Sequence, residues 1–262
     1  MDKARIDSYS EELYQALRGA KVVDPLLARE PDISIEDAYQ IQLGLIRRRM
    51  ERDGETIIGK KIGATSKAVQ TMLKVDQPDF GHLMSSMAYN DGDVVPIEGN
   101  LIQPRMEGEI AFILKRDLLG PGITNAAVLA ATECVMPCFE ICDSRIRDWK
   151  IGIQDTVADN ASCGLFVLGD AALSPRKLDL ATCGMVMEKN GEICATGAGA
   201  AALGSPVNCV AWLANTLGRF GIKLEAGEVI LSGSLVPLQP VAAGDFVHVS
   251  VGGLGTASVR FV

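Results

Sequence analysis

At 262 residues, with 48% hydrophobic and only 5% aromatic residues, the chain can build one large aliphatic core with a smaller attached segment. Its 33 acidic and 25 basic residues leave a formal net charge of −8, which repels a phosphate backbone and argues against nucleic acid as a partner. The opening MDKARIDSYSEELYQ lacks the apolar centre of a signal peptide, and no apolar run approaches the ~20 residues that span a bilayer, so a soluble chain away from membranes is expected.

Residues 5–18 have the periodicity of an amphipathic helix. Ser34 begins a second helix by capping, with Asp37 in the reciprocal position. Ile35, Ala38, Ile41 and Leu45 form its buried stripe, and Arg47, Arg48 and Arg49 are expected to face water. The stretch Thr56–Gly63 then reads as a strand bounded by glycines. Lys60 and Lys61 fall on opposite faces of it, so one lysine points inward. Ser66 can cap a following helix that carries Val69, Met72 and Leu73. The turn-rich loop Asp76-Gln77-Pro78-Asp79-Phe80-Gly81 places an acid beside the lysine-bearing strand, a pairing able to move protons.

The segment Met106–Leu114 alternates as a strand, with Met106, Gly108, Ile110, Phe112 and Leu114 on one face and Glu107 and Glu109 on the other. Cys134–Asp143 reads as a second strand, in which Glu140 shares a face with Cys138 and Cys142. Like-signed carboxylates at low dielectric repel, so either one takes a proton or a cation sits between them. A hard divalent ion is the economical answer. Spacing alone also allows Glu107 and Glu109 to face solvent on an edge strand, but an acid inside the run around Glu140 is seldom surface decoration.

Seven cysteines, odd in number and without framework spacing, favour reduced thiols and a cytoplasmic setting. Pro137 interrupts the four-residue repeat of Cys134, Cys138 and Cys142, and these read as buried structural thiols. Asp155–Gly164 is a polar loop leading into a strand over 165–168; its hydroxyl and amide groups either bind a substrate carboxylate or make turns. Residues 184–197 form a hairpin turning at Asn190-Gly191. Gly197–Ala202 fits a dinucleotide fingerprint in letters only, because the next helix starts at Ser205-Pro206 and no βαβ unit surrounds it. After the helix 206–217, strands over 229–232, 246–251 and 256–262 finish a mixed β structure.

Five stretches carry a resemblance over essentially the whole chain: Gly59–Gly63, Val75–Gly81, Gln103–Glu109, Asp143–Trp149 and Asp155–Gly164. Together they resemble the 2-hydroxypenta-2,4-dienoate hydratases of the fumarylacetoacetate hydrolase superfamily. The resemblance implies an α+β fold, a mixed β-sandwich roll with an N-terminal α/β segment over 1–90 and a β-rich metal-binding domain over 91–262. It implies that Glu107, Glu109 and Glu140 hold Mg2+ or Mn2+, that Lys61 (not Lys60) and Asp79 are the acid and base, and that Ser162, with Ser234, lies near substrate. Met106 and Gly108 depart from the bulkier aliphatic and the alanine of many relatives, on the face away from the metal.

The implied activity is hydration of the dienol to 4-hydroxy-2-oxopentanoate in the meta-cleavage breakdown of aromatics, with a homo-oligomer and a complex with 4-oxalocrotonate decarboxylase as expected associations. The alternatives are 4-oxalocrotonate decarboxylation, acylpyruvate hydrolysis, for which neither His82 nor His248 sits in a suggestive motif, and a non-catalytic partner subunit.

Overall fold

The computed structural model describes residues 1–262, with the side chains of Ala68, Met72 and Leu73 outside the description. The helices are α1 (Lys3–Arg18), α2 (Leu26–Arg29), α3 (Ile35–Asp53), α4 (Lys67–Leu73), α5 (Asn125–Ala131), α6 (Ile153–Ala158) and α7 (Pro206–Gly218). The strands are β1 (Ile57–Gly63), β2 (Asp79–Met84), β3 (Ala88–Asn90), β4 (Val94–Val95), β5 (Pro104–Leu114), β6 (Thr132–Asp143), β7 (Cys163–Leu168), β8 (Gly184–Lys189), β9 (Glu192–Ala198), β10 (Val229–Leu231), β11 (Gln239–Pro240), β12 (Phe246–Val251) and β13 (Gly255–Phe261). No helix is long and apolar enough to cross a membrane.

Strict alternation of apolar side chains in β5 and β6 lets one face pack while the other carries acids, and these two long strands pair antiparallel at the centre of the larger sheet. Its order is β2, β1, β10, β5, β6, β7, β3, with β11 also pairing with β5. The smaller sheet runs β4, β13, β12, β8, β9. Phe112 and Phe139 from the first sheet and Val247, Val249 and Phe261 from the second belong to one buried apolar cluster, which α7 extends through Val210 and Leu213. The fold is α+β.

Gly108 explains one departure from the family pattern. A Cβ there would lie 2.5 Å from Met185 Sδ, so a larger residue on this inner face would have to displace the end of the Met185 side chain.

A second apolar cluster joins α1 and α3 to the loops beyond β6: Leu13, Leu26, Ile41 and Leu45 pack with Ile146 and Val157. The expected capping box is present, Ser34 Oγ accepting from Asp37 N at 3.0 Å while Asp37 accepts from Ser34 N at 3.2 Å. Ala38, Ile41 and Leu45 are buried as the pattern required. Ser66 caps α4 by accepting from Val69 N; the Met72 and Leu73 side chains expected on that helix lie outside the described residues. The hairpin of β8 and β9 turns at Asn190 and Gly191, both at positive φ as a tight primed turn demands. Gly197–Ala202 leaves β9 for a short 3-10 turn, and α7 starts only at Pro206.

Two expectations change. Arg47 is exposed, but Arg48 and Arg49 are buried, because α1 and the start of β1 bring carboxylates over the end of α3. Arg48 pairs with Glu11 and Asp7, and Arg49 pairs with Glu55 at 2.7 Å. The two lysines of β1 also differ from expectation, since both are buried rather than one. Lys60 faces the opposite side from Lys61 and pairs with Glu228.

Candidate metal and proton-transfer site

Register builds the site. In the β5 and β6 pair Glu107 stands directly opposite Glu140, and Glu109 opposite Cys138. Like charges facing each other across a sheet are unfavourable unless something neutral or positive intervenes. Lys61 reaches the same face from β1, its row continuing through Leu231 of β10 to Ala111 of β5. In β2, Asp79 pairs with Gly63 and Gly81 with Lys61, so Lys61 and Asp79 stand diagonally on one side of the β1 and β2 ladder. Gly63 is needed there, since a Cβ would sit 2.2 Å from Asp79 Oδ1.

Glu109 and Glu140 are buried, while Glu107 keeps a partial opening to solvent. Glu109 Oε2 accepts from Gly233 N at 2.7 Å. Among the described residues, Glu109 Oε1, both oxygens of Glu140 and Asp79 Oδ1 are buried without a hydrogen-bond partner. The Lys61 ammonium lies 3.0 Å from Glu140 Oε1 as an ion pair, off the hydrogen-bonding direction. Buried carboxylate oxygens almost always find donors, so several orphans on one face fit a set of ligands for a cation. All-oxygen donors of this kind suit Mg2+ or Mn2+. One ligand atom each from Glu107, Glu140 and Cys142 lie within 4.8 Å of one another.

The electrostatics follow from burial. Desolvation and then the Glu140 charge lift the Glu107 carboxyl to about 7, with Lys61 opposing. Glu109 is pushed well above its ordinary range by the same burial, then by Glu140 and Glu107. Burial raises Asp79 too, against the pull of Lys61. For Lys61 burial acts downward, yet Glu140, Cys142 and Asp79 overcome it and hold the ammonium charged. The constellation therefore combines a charged ammonium with carboxyls that burial lifts above their ordinary range, and Asp79 opens onto a narrow cleft lined by Tyr39, Gln77, Pro78 and Val157.

Ser162 is buried, its Oγ 3.1 Å from Thr156 Oγ1. It ends a run in which Asn160, Ala161 and Ser162 all hold positive φ, at 54°, 52° and 53°. Three consecutive left-handed residues without glycine store strain, and such strain persists only where surroundings enforce it. Asn160 supplies that enforcement by accepting from His82 N at 2.8 Å and donating to His82 O at 2.9 Å, which ties the loop to β2. Arg145 does the same from behind, pairing with Asp159 and donating to the carbonyls of Asp143, Cys163 and Asp159. Ser234 follows Gly233 but turns its hydroxyl onto Val236 O at 2.6 Å.

The structure thus brings Lys61, Asp79, Glu107, Glu109 and Glu140 onto one face, although Glu109 stands outside the group of ligand atoms within 4.8 Å, with Ser162 in the strained loop tied to β2 and the Ser234 hydroxyl engaged locally. Sequence reasoning missed Asn160, Arg145 and the Gly233 amide as supports. Cys142 is buried as a free thiol, as expected, and its place two residues after Glu140 puts its sulfur on the acid face.

The family profile described as fumarylacetoacetate (FAA) hydrolase C-terminal matches residues 58–262. A 2-hydroxypent-2,4-dienoate hydratase of Pseudomonas putida is 69% identical over 222 residues, 85% of this chain and 100% of the relative. A 2-hydroxyhexa-2,4-dienoate hydratase of Comamonas testosteroni is 58% identical, covering 99% of this chain and 98% of its own. Among solved structures, a 4-oxalocrotonate decarboxylase from Pseudomonas putida G7 complexed with magnesium and adipate superposes with a TM-score of 0.96 at 38% identity, covering 100% of this chain and 99% of that one.

Proposed function

The chain belongs to the fumarylacetoacetate hydrolase family, and from that premise we propose that it is a hydro-lyase that adds water to 2-hydroxypenta-2,4-dienoate to give 4-hydroxy-2-oxopentanoate. The observation that carries the reading is the set of buried, unpartnered glutamate oxygens beside Lys61 and Asp79. Glu107, Glu109 and Glu140 would hold Mg2+ or Mn2+, which when bound supplies Lewis acidity toward the oxygens of a 2-oxo acid.

Lys61 and Asp79 handle the protons. Ketonisation moves the proton of the 2-hydroxyl to C5 and leaves a double bond between C3 and C4. Water then adds at C4 while a proton arrives at C3. Asp79, held toward its neutral form, is suited to deliver a proton to carbon, and the Lys61 ammonium to stabilise negative charge developing on the 2-oxygen. Burial of both side chains excludes bulk water as a competing proton source. Ser162 and Ser234 are assigned to the substrate side of the pocket, Ser234 after release of its local bond to Val236.

Paired substitutions test the division of labour. Lys61→Ala is expected to lower turnover by on the order of 10²-fold or more while divalent affinity changes little, and Glu109→Ala is expected to do the reverse. Unchanged turnover in the lysine variant refutes its role.

Decarboxylation of 4-oxalocrotonate is the second reading, and one observation favours it. Among the described residues the buried lysines and arginines are paired with acids, but half-buried Arg105, on the Glu107 face and over the Trp149 ring at 4.6 Å, has no carboxylate partner. A second substrate carboxylate would suit it. Release of CO2 from 4-oxalocrotonate, measured beside loss of the dienol's ultraviolet absorbance, separates the two. The reading includes a cytoplasmic location, consistent with seven free thiols, a homo-oligomer and association with the decarboxylase. Light scattering of the chain alone and mixed with that enzyme tests both associations; a monomer unchanged by mixing removes them.

A further inference from the structure

We propose that Cys142 gives this site a soft donor, so that a thiophilic divalent cation, Zn2+ or Cd2+, binds there in competition with the hard ion and inhibits; the inference rests on the reading that a hard ion occupies the site. Alternation along β6 puts Cys142 on the side of Glu140, and its sulfur lies 3.9 Å from Glu107 Oε2. Ligand atoms of Glu107, Glu140 and Cys142 already lie within 4.8 Å of one another. An ion with bonds of about 2.0 to 2.3 Å needs its ligands within roughly 4.5 Å, a spacing that small side-chain rotations reach.

A second feature points to a ligand independently of the thiol. Glu140 is 1% exposed; Lys61 meets its Oε1 at 3.0 Å as an ion pair, and its Oε2 is buried with no partner among the described residues. Glu109, by contrast, has one oxygen committed to Gly233 N. Two carboxylates with one thiolate form a mixed donor set, and thiolate shifts preference from Mg2+ and Mn2+ toward softer ions. Binding would release the thiol proton to solvent as sulfur coordinates. Cys138, on the other side of Glu140, stands outside the ligand group among the described residues.

Titration of the metal-stripped protein with Cd2+ tests this through the ultraviolet absorption of a cadmium–thiolate bond. The expected result is a band that saturates at one ion per chain, forms with release of Mn2+ when the Mn2+-loaded protein is titrated, survives Cys138→Ser and is lost in Cys142→Ser. In Cys142→Ser the affinity for Zn2+ relative to Mg2+ is expected to fall by about tenfold or more. A protein that binds Mg2+ but gives no band, or a band that survives Cys142→Ser, overturns the assignment. Should Cys142→Ser fail to fold, the unsubstituted protein decides, because a band that forms on the Mn2+-loaded protein without releasing Mn2+ places the sulfur elsewhere. Failure to bind Mg2+ at all would instead overturn the reading beneath it.

Discussion

Lys60 and Lys61 are neighbours in sequence with different tasks, and the difference arises from what each face of β1 meets. Lys61 meets Glu140 and the charge of Asp79, whereas Lys60 meets Glu228 and, directly across the ladder, His82. His82 is buried, and burial followed by the Lys60 charge lowers it to about 4 from an ordinary 6.5. The folded state therefore binds fewer protons than the unfolded chain between those values. Stability is retained above about 6.5, falls as pH drops toward about 4, and loses on the order of 3 kcal/mol from this residue across that window. In His82→Gln that part of the loss is expected to vanish, which denaturant midpoints at pH 7 and pH 4.5 would reveal. An equal loss in both proteins contradicts the assignment.

At the scale of elements, the site depends on registers that fix which side chains face one another. Opposition of Glu107 to Glu140 follows from the pairing of β5 with β6, and the diagonal of Lys61 with Asp79 from the pairing of β1 with β2. Gly63→Ala tests the second register, because the added methyl would press on Asp79 Oδ1 from 2.2 Å. Turnover is expected to fall on the order of 10²-fold with divalent affinity nearly unchanged, read by steady-state rates and calorimetry. Unaltered turnover would mean that Asp79 need not stand where it does. Strand alternation made the acid face legible in the sequence, since it depends only on a period of two. The strained turn at Asn160, Ala161 and Ser162 was not legible, because nothing local marks three left-handed residues held by the Asn160 side chain to the backbone of His82, 78 positions away. The buried pairing of Arg48 and Arg49 was hidden for the same reason, their partners Glu11 and Glu55 coming from other elements.

For the whole molecule, two apolar clusters clamp the acid face from different sides. One fills the space between the sheets, and the other seats α1 and α3 against the loops that follow β6. The larger sheet draws β1 and β2 together with β5, β6 and β10, so chain segments more than 40 residues apart deliver the lysine and the glutamates to one surface. The family motifs made this convergence foreseeable; hydrophobic pattern alone could supply the strands but not their order. The account stands or falls on whether that surface works through a divalent cation. Its most direct test follows the ultraviolet absorbance of 2-hydroxypenta-2,4-dienoate with the protein stripped by chelator and then given Mg2+ or Mn2+. The stripped protein should leave the absorbance unchanged and regain its rate when the ion returns, whereas an undiminished rate under chelation would contradict the account.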